Sequence, residues 1–448
     1  MKSTARSIIV LLLGLLVFAC SKDDSGSEVQ MVESVPENPT PEPESKSAEK
    51  QITSFKFPGL EAEGVTVDVS AEIDQENLSV FAELPIGTQV TSLEPQLEVS
   101  PGATVVPTGP QDFTEAVEYT VTAENGSSVS YLATVEVPLS QKEILLRILE
   151  LNPLHTLDWD ESEDIGNWDG VTLDDNGNII ELEFFDYIES RGRRITLLPE
   201  EIRGLKYLEK LILTDNQLTV LPDAIGELNN LTILNLHRNK IVEIPSTIGQ
   251  LEKLVELRLT SNRLENVPED LWRIPSLEYL DLSYNRIQEM PSVLGELSKL
   301  KELHLSQNNF KALPPEISML ENLEILTIRD NDLTELPAEI GSLKKLEHLN
   351  LAFNDLTYLP AEFANLKNLK YLNLGANQLS NPLNLPLISS GLIVECKSNL
   401  EQLLLGGNPD LDVLPQCICD MDPAYGGTTD IDIVPDKVIC QGDVLDPD

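Results

Sequence analysis

Eight asparagines, Asn216, Asn239, Asn262, Asn285, Asn308, Asn331, Asn354 and Asn377, stand 23 residues apart without a slip. Around each runs Leu-x-x-Leu-x-Leu-x-x-Asn, first at Leu208, Leu211, Leu213 and Asn216. Prolines keep the same period at Pro199, Pro222, Pro245, Pro268, Pro291, Pro314, Pro337 and Pro360. Each unit amounts to one short strand and a return coil, and neither can bury its leucines alone, so the units must stack. Stacking lines the strands into a parallel sheet, about 4.8 Å apart, with leucines inward. The bend after each strand leaves backbone groups without partners inside the stack. A side-chain amide, which both donates and accepts, satisfies them from coil to coil. Proline presets the turn into the far segment.

The residues flanking the second and third leucines point away from the core. One row reads Lys210, Ile233, Glu256, Tyr279, Glu302, Ile325, His348, Tyr371, and the next Ile212, Asn235, Arg258, Asp281, His304, Thr327, Asn350, Asn373. The lower row is Thr214, His237, Thr260, Ser283, Ser306, Arg329, Ala352, Gly375. Ile, Tyr and Thr suit a parallel sheet in any case. Aromatic and apolar residues among amides, hydroxyls and balanced charges are nevertheless the make-up of a recognition surface. The candidate ligand-binding residues are Arg258, Tyr279, Asp281, His304, Arg329, His348 and Tyr371. Tyr279, Arg258 and His304 occupy the middle of the sheet, and His348 and Tyr371 fall in adjacent coils as a second patch.

This pattern resembles the leucine-rich-repeat family, in its 23-residue class with a Leu-Pro turn, over more than half of the chain. The resemblance implies an α/β-type solenoid across 179–415, with its parallel β-sheet on the concave face and protein recognition as its usual role. Residues 139–178 are expected to cap it. Leu145 to Leu149 with Trp168-Asp169-Gly170-Val171 resembles the N-terminal cap of plant-type repeat proteins, in which two cysteines flank the Trp-x-Gly-Val. Here those places hold Gly166 and Leu173. After Asn377 the period stretches to Asn408 through an insertion carrying Cys396, and 416–448 form an acidic C-terminal cap. Cys417 and Cys419 are too close to bridge easily, which leaves two pairings with Cys396 and Cys440. In an exported chain two disulfides are expected. A four-thiolate zinc site lacks its Cys-x-x-Cys knuckle.

The first nineteen residues are a leader. Lys2 and Arg6 precede an apolar run, Ile8 to Phe18, too short to span a bilayer. Val17-Phe18-Ala19-Cys20 resembles the lipobox of bacterial lipoproteins. That implies cleavage before Cys20 and its lipidation, and several acyl chains give lasting attachment. Ser21-Lys22-Asp23-Asp24 looks like the export tag of some Gram-negative surface lipoproteins. The expected address is the outer membrane, lipid-anchored, at the cell surface. Residues 20–51 carry Pro36, Pro39, Pro41 and Pro43 among Glu and Ser, a composition for a disordered tether. Across 52–138 apolar and polar residues alternate at Ile52–Phe57, Val65–Val69, Leu78–Ala82 and Val117–Val121, as in half-buried strands. Asn125-Gly126 reads as a two-residue hairpin with both residues at positive φ. The segment resembles the all-β Ig-like sandwich modules of bacterial surface lipoproteins, which usually act as spacers.

Lys and Arg total 31 against 75 Asp and Glu, a net charge of −44, which repels nucleic acid and anionic headgroups. His155, His237, His304 and His348 accompany no nucleophile elbow and no His-Glu-x-x-His, so no enzyme, cofactor or metal site is expected. The acidic loops around Asp158 and Asp174 lack the full calcium-loop pattern and read as solvated turns. The leading expectation is a cell-surface scaffold binding a protein partner in adhesion, host contact or envelope assembly. The alternative is carbohydrate capture for nutrient uptake, with Tyr279 and Tyr371 stacking on sugars.

Overall fold

The computed structural model describes residues 46–62, 64–155, 157, 159–184, 195–380 and 401–408, with backbone strands at Val413–Leu414, Asp430–Asp432 and Ile439–Cys440. The leader, Cys20, the tether to residue 45, Asp158, Cys396, Cys417, Cys419 and the side chain of Cys440 lie outside the described residues.

The N-terminal module is all β. Strands β1 (Ile52–Ala62), β2 (Val65–Ser70) and β5 (Gln96–Val99) make one sheet in the order β2-β1-β5. The second sheet, in the order β3-β4-β8-β7-β6, comprises β3 (Glu72–Asp74), β4 (Ser79–Glu83), β6 (Thr104–Val106), β7 (Val117–Thr122) and β8 (Ser128–Glu136). The pairing is antiparallel except that β4 runs parallel to β8. Alternation buries Ile52, Phe55, Phe57, Tyr119, Val121 and Tyr131 in one cluster, with Phe55 and Tyr119 edge to face at 5.3 Å. The β7–β8 turn corrects the two-residue expectation. Only Gly126 has positive φ (85°), Gly126 N–H donates to the Ala123 carbonyl, and Ser127 closes the loop on Ala123. This is the longer hairpin, in which glycine takes the left-handed place after an ordinary turn.

Val137 packs on this first core and Leu139, two residues on, against the second. Helix α1 (Gln141–Leu151) starts at Ser140, which forms a capping box with Glu143. Its Ile144, Leu145 and Ile148 seal the end of the repeat core. Trp168 stacks on Trp159 at 4.8 Å and 13°, and the two indole N–H groups donate to the carbonyls of Asp160 and Asp169 respectively. A Cβ placed on Gly166 would lie 3.0 Å from Leu173 Cδ1, so the pair that replaces two cysteines is in contact.

Beyond the cap runs a twelve-stranded sheet. The antiparallel β9 (Val171–Leu173) and β10 (Ile179–Glu183) open it. Eight parallel strands follow: β11 (Lys210–Ile212), β12 (Ile233–Asn235), β13 (Glu256–Arg258), β14 (Tyr279–Asp281), β15 (Glu302–His304), β16 (Ile325–Thr327), β17 (His348–Asn350) and β18 (Tyr371–Asn373). Next come β19 (Gln402–Leu404) and β21 (Asp430–Asp432), while β20 (Val413–Leu414) pairs with β22 (Ile439–Cys440). Register is strict, Leu211 on Leu234 on Leu257 and onward, because every central leucine must enter one core. The opposite side of each coil is a short 3-10 helix that begins just after the repeating proline, as in Asp223–Glu227 after Pro222 at φ −67°. Coils approach there so closely that a Cβ on Gly226 would meet the Thr247 carbonyl at 2.2 Å. The asparagines, 4–9% exposed, form the ladder that the repeat requires. Asn239 accepts from Leu218 N–H at 3.0 Å and donates to the carbonyls of Leu213 and Leu236 at 2.8 and 3.0 Å.

Candidate binding face

The central leucine of each strand is fully buried and its neighbours stand half-exposed on the concave face. Three adjacent strands build one column. The Arg258 guanidinium lies 4.3 Å over the Tyr279 ring and reaches its hydroxyl at 3.3 Å. Arg258 Nε donates to Glu256, which fixes the guanidinium plane. On the other side Tyr279 meets His304 at 5.2 Å between centroids. His304 is held by Thr327 Oγ1 on Nδ1 at 3.1 Å and by Glu302 on Nε2 at 3.4 Å. Burial, reinforced by the Asp281 carboxylate and opposed by Arg258, pushes the Tyr279 phenol up to about 12. For Arg258 burial works toward a lower value, but the bond to Glu256 and the electrostatic influence of Tyr279, Glu256 and Asp281 outweigh it, and its pKa rises. The column is therefore a neutral phenol clamped by a permanent cation, a geometry that pays little ordering entropy on binding.

A second patch sits two coils further on. His348 and Tyr371 stack at 6.0 Å and 19°, and Asn373 Nδ2 donates to the Tyr371 hydroxyl at 3.2 Å. Of the other two candidates, Asp281 stays beside the column between Arg258 and His304, and Arg329 does not join it. Asp281 turns an oxygen back to Ser283 N–H at 2.8 Å. Arg329 leaves the column and lies 4.7 Å over the ring of Phe353. The lower row also needs correction as an outward-facing set. Ser283 is 6% and Ala352 2% exposed, because such short side chains do not clear their neighbours.

The acidic loops spend their oxygens locally. Asp174 accepts from the N–H groups of Asn176 and Asn178 and from the Asn178 amide, and those bonds hold its carboxyl below the usual range. Among the described residues no group of three or more His, Cys, Asp or Glu is placed to hold a metal ion.

One row was not foreseen. The residue before each ladder asparagine is left-handed: Asp215, Arg238, Ser261, Tyr284, Gln307, Asp330, Phe353 and Ala376 all have φ between 52° and 59°. Glycine or a run of Asn and Asp would have announced that conformation, but glycine stands only before Asn408, at Gly407, and of these eight only Asp215 and Asp330 are of those types.

Residues 133–288 and 288–385 match the family model described as a leucine-rich repeat region. The chain belongs to the leucine-rich-repeat family. Residues 52–135 of this leucine-rich-repeat protein match a second model, described as SGBP, N-terminal. No curated protein matches the sequence. Among solved structures, a leucine-rich-repeat protein of Leptospira interrogans is 36% identical over 50% of this chain and 61% of its own, with a TM-score of 0.45. This chain thus spans about three-fifths of the length of that protein. A plant ice-binding protein aligns over 67% of this chain and 96% of its own at 24% identity and a TM-score of 0.53, which shows the same fold.

Proposed function

We propose that this leucine-rich-repeat protein is a non-enzymatic scaffold that binds a protein partner on its concave face, in adhesion, host contact or envelope assembly. The observation that carries this reading is the Arg258–Tyr279–His304 column. Interface energy concentrates in arginine and aromatic residues, and here both are already ordered before a partner arrives. The leucine-rich-repeat fold is typical of protein-binding scaffolds. In this proposal the chain is of the surface-lipoprotein type and of the 23-residue Leu-Pro class, lipidated at Cys20 and displayed on the outer membrane. Two disulfides among Cys396, Cys417, Cys419 and Cys440 brace its far end. The pairing of Leu414 with Cys440 supports the brace, since Leu414 lies three residues before Cys417.

Affinity capture from host or envelope extract, followed by titration of the captured protein, tests the binding face. Tyr279→Ala or Arg258→Ala is expected to weaken binding by about 1–2 kcal/mol. Convex changes such as Glu227→Ala or Lys253→Ala are expected to do almost nothing. Loss of binding in the convex variants alone would place the partner on the other side. Cys20→Ala is expected to release the protein from membranes, and its persistence there after a high-salt wash would refute the anchor.

One observation favours a second reading, carbohydrate capture. The N-terminal module matches the SGBP model, which points to a glycan-binding system. A glycan array separates the two readings.

A further inference from the structure

The left-handed position is imposed by the repeat and is costly for bulky side chains. Two of its occupants are nevertheless aromatic. Tyr284 is 56% and Phe353 51% exposed, so neither ring contributes to the core. Their backbones are fixed to the next coil, Tyr284 N–H on the Ser306 carbonyl and Phe353 N–H on that of Gly375. The rings therefore stand in one row on a rigid edge, three coils apart, which at the strand spacing of about 4.8 Å is roughly 14 Å. The positions between them hold Gln307 and Asp330, joined amide to carboxylate. Arg329 lies over one face of Phe353 and holds that ring in place.

We propose that this edge is a docking surface for an extended, neutral glycan chain. Tyr284 and Phe353 are its stacking platforms, and Gln307 and Asp330 its hydroxyl partners. A pyranose ring offers a flat C–H face and a rim of hydroxyls. The first packs on an exposed aromatic face, and the second needs planar groups that donate and accept. The coil spacing is close to the length of one sugar unit in an extended chain, so successive coils meet successive units. A protein hot spot sits in a desolvated pocket, whereas both rings here are more than half exposed. The Asp330 carboxylate in the row and the net charge of −44 disfavour uronate-rich and sulfated chains, with Arg329 turned onto the Phe353 ring. The proposal rests on the carbohydrate reading and is independent of the protein-binding one.

The test is affinity electrophoresis of the full chain in gels containing hydroxyethylcellulose, laminarin or galactomannan, with polygalacturonate as the anionic control. Retardation is expected in at least one neutral gel and none in polygalacturonate. Tyr284→Asn with Phe353→Asn removes both rings while keeping a residue type that tolerates positive φ. That variant is expected to bind about tenfold more weakly or worse, with an unchanged melting temperature. Tyr284→Phe is expected to retain binding, and the convex change Lys253→Ala to leave it untouched. Retardation by a neutral glycan that survives the double substitution would overturn the edge proposal and leave the carbohydrate reading standing. No retardation in any neutral gel would overturn both.

Discussion

Replacing Asn285 by leucine removes four hydrogen bonds from the middle of the ladder while keeping the branched side-chain skeleton. Asn285 accepts from Leu264 N–H at 3.0 Å and donates to the carbonyls of Leu259, Leu282 and Ser283 at 3.0, 2.9 and 3.2 Å. The loss is smaller than four bonds suggest. The Leu259 carbonyl keeps the Asn262 amide, that of Leu282 keeps the Asn308 amide, and that of Ser283 keeps Ser261 N–H. Only Leu264 N–H is left with no acceptor, and one buried unsatisfied donor costs about 1–3 kcal/mol. Because coils are coupled to their neighbours, the whole array carries the loss. For a domain of this size that is a fall of roughly 2–12 °C in melting temperature. Circular dichroism reads the array as a whole, and tryptophan emission includes Trp272, fully buried in the coil before β14. An unchanged melt would show that another acceptor already reaches Leu264 N–H. A loss well above 3 kcal/mol would show that the shared carbonyls do not keep their second donors.

Two further outcomes follow from single contacts. A Cβ on Gly166 would lie 3.0 Å from Leu173 Cδ1 and 3.7 Å from its Cγ, so Gly166→Cys with Leu173→Cys is expected to oxidise to one bridge worth ~2–3 kcal/mol, read by non-reduced peptide mapping and the urea midpoint; free thiols in the folded double variant would refute the contact. Tyr279 has its folded pKa raised to about 12 against ~10 in the unfolded chain, so its contribution to stability is complete below pH ~10 and lost as pH rises toward 12. The difference in tyrosinate absorbance between the chain and Tyr279→Phe should titrate near 12, and a difference titrating near 10 would mean that the phenol is solvated.

The scaffold was legible because each of its roles recurs in coil after coil. A leucine buried once proves little, but one that recurs every 23 residues beside an asparagine and a proline defines a core, a ladder and a turn together. Where a role occurs once, the sequence under-determines it. Asn125-Gly126 serves a two-residue turn and a longer one alike, and the closure of Ala123 on Ser127 selects the longer. Trp168 announced the cap, whereas its stacking partner Trp159 sits in an acidic stretch with no pattern to mark it. Asn152 is another single case. It stands outside the 23-residue period, yet it is buried and binds the backbone of Thr196 and Leu197 and the carbonyls of Ile148 and Leu197, as a ladder asparagine would.

The binding face was legible in its rows and not in its contacts, for a physical reason. Strand alternation decides that Arg258, Tyr279 and His304 face outward, because their neighbours Leu257, Leu280 and Leu303 must face in. Alternation does not decide which way a long side chain leans once it is out. Arg258 closes strand β13 and is half-buried, Arg329 is exposed two residues past the end of β16, and each covers a ring in the next coil. For Arg258 that ring is Tyr279 on the sheet itself, whereas for Arg329 it is Phe353 on the left-handed edge. One arginine thereby consolidates the concave column and the other the outer row. The division between two surfaces arises from the arginine's place in its repeat together with where the next coil offers an aromatic face, and the second of these is a property of neighbouring coils.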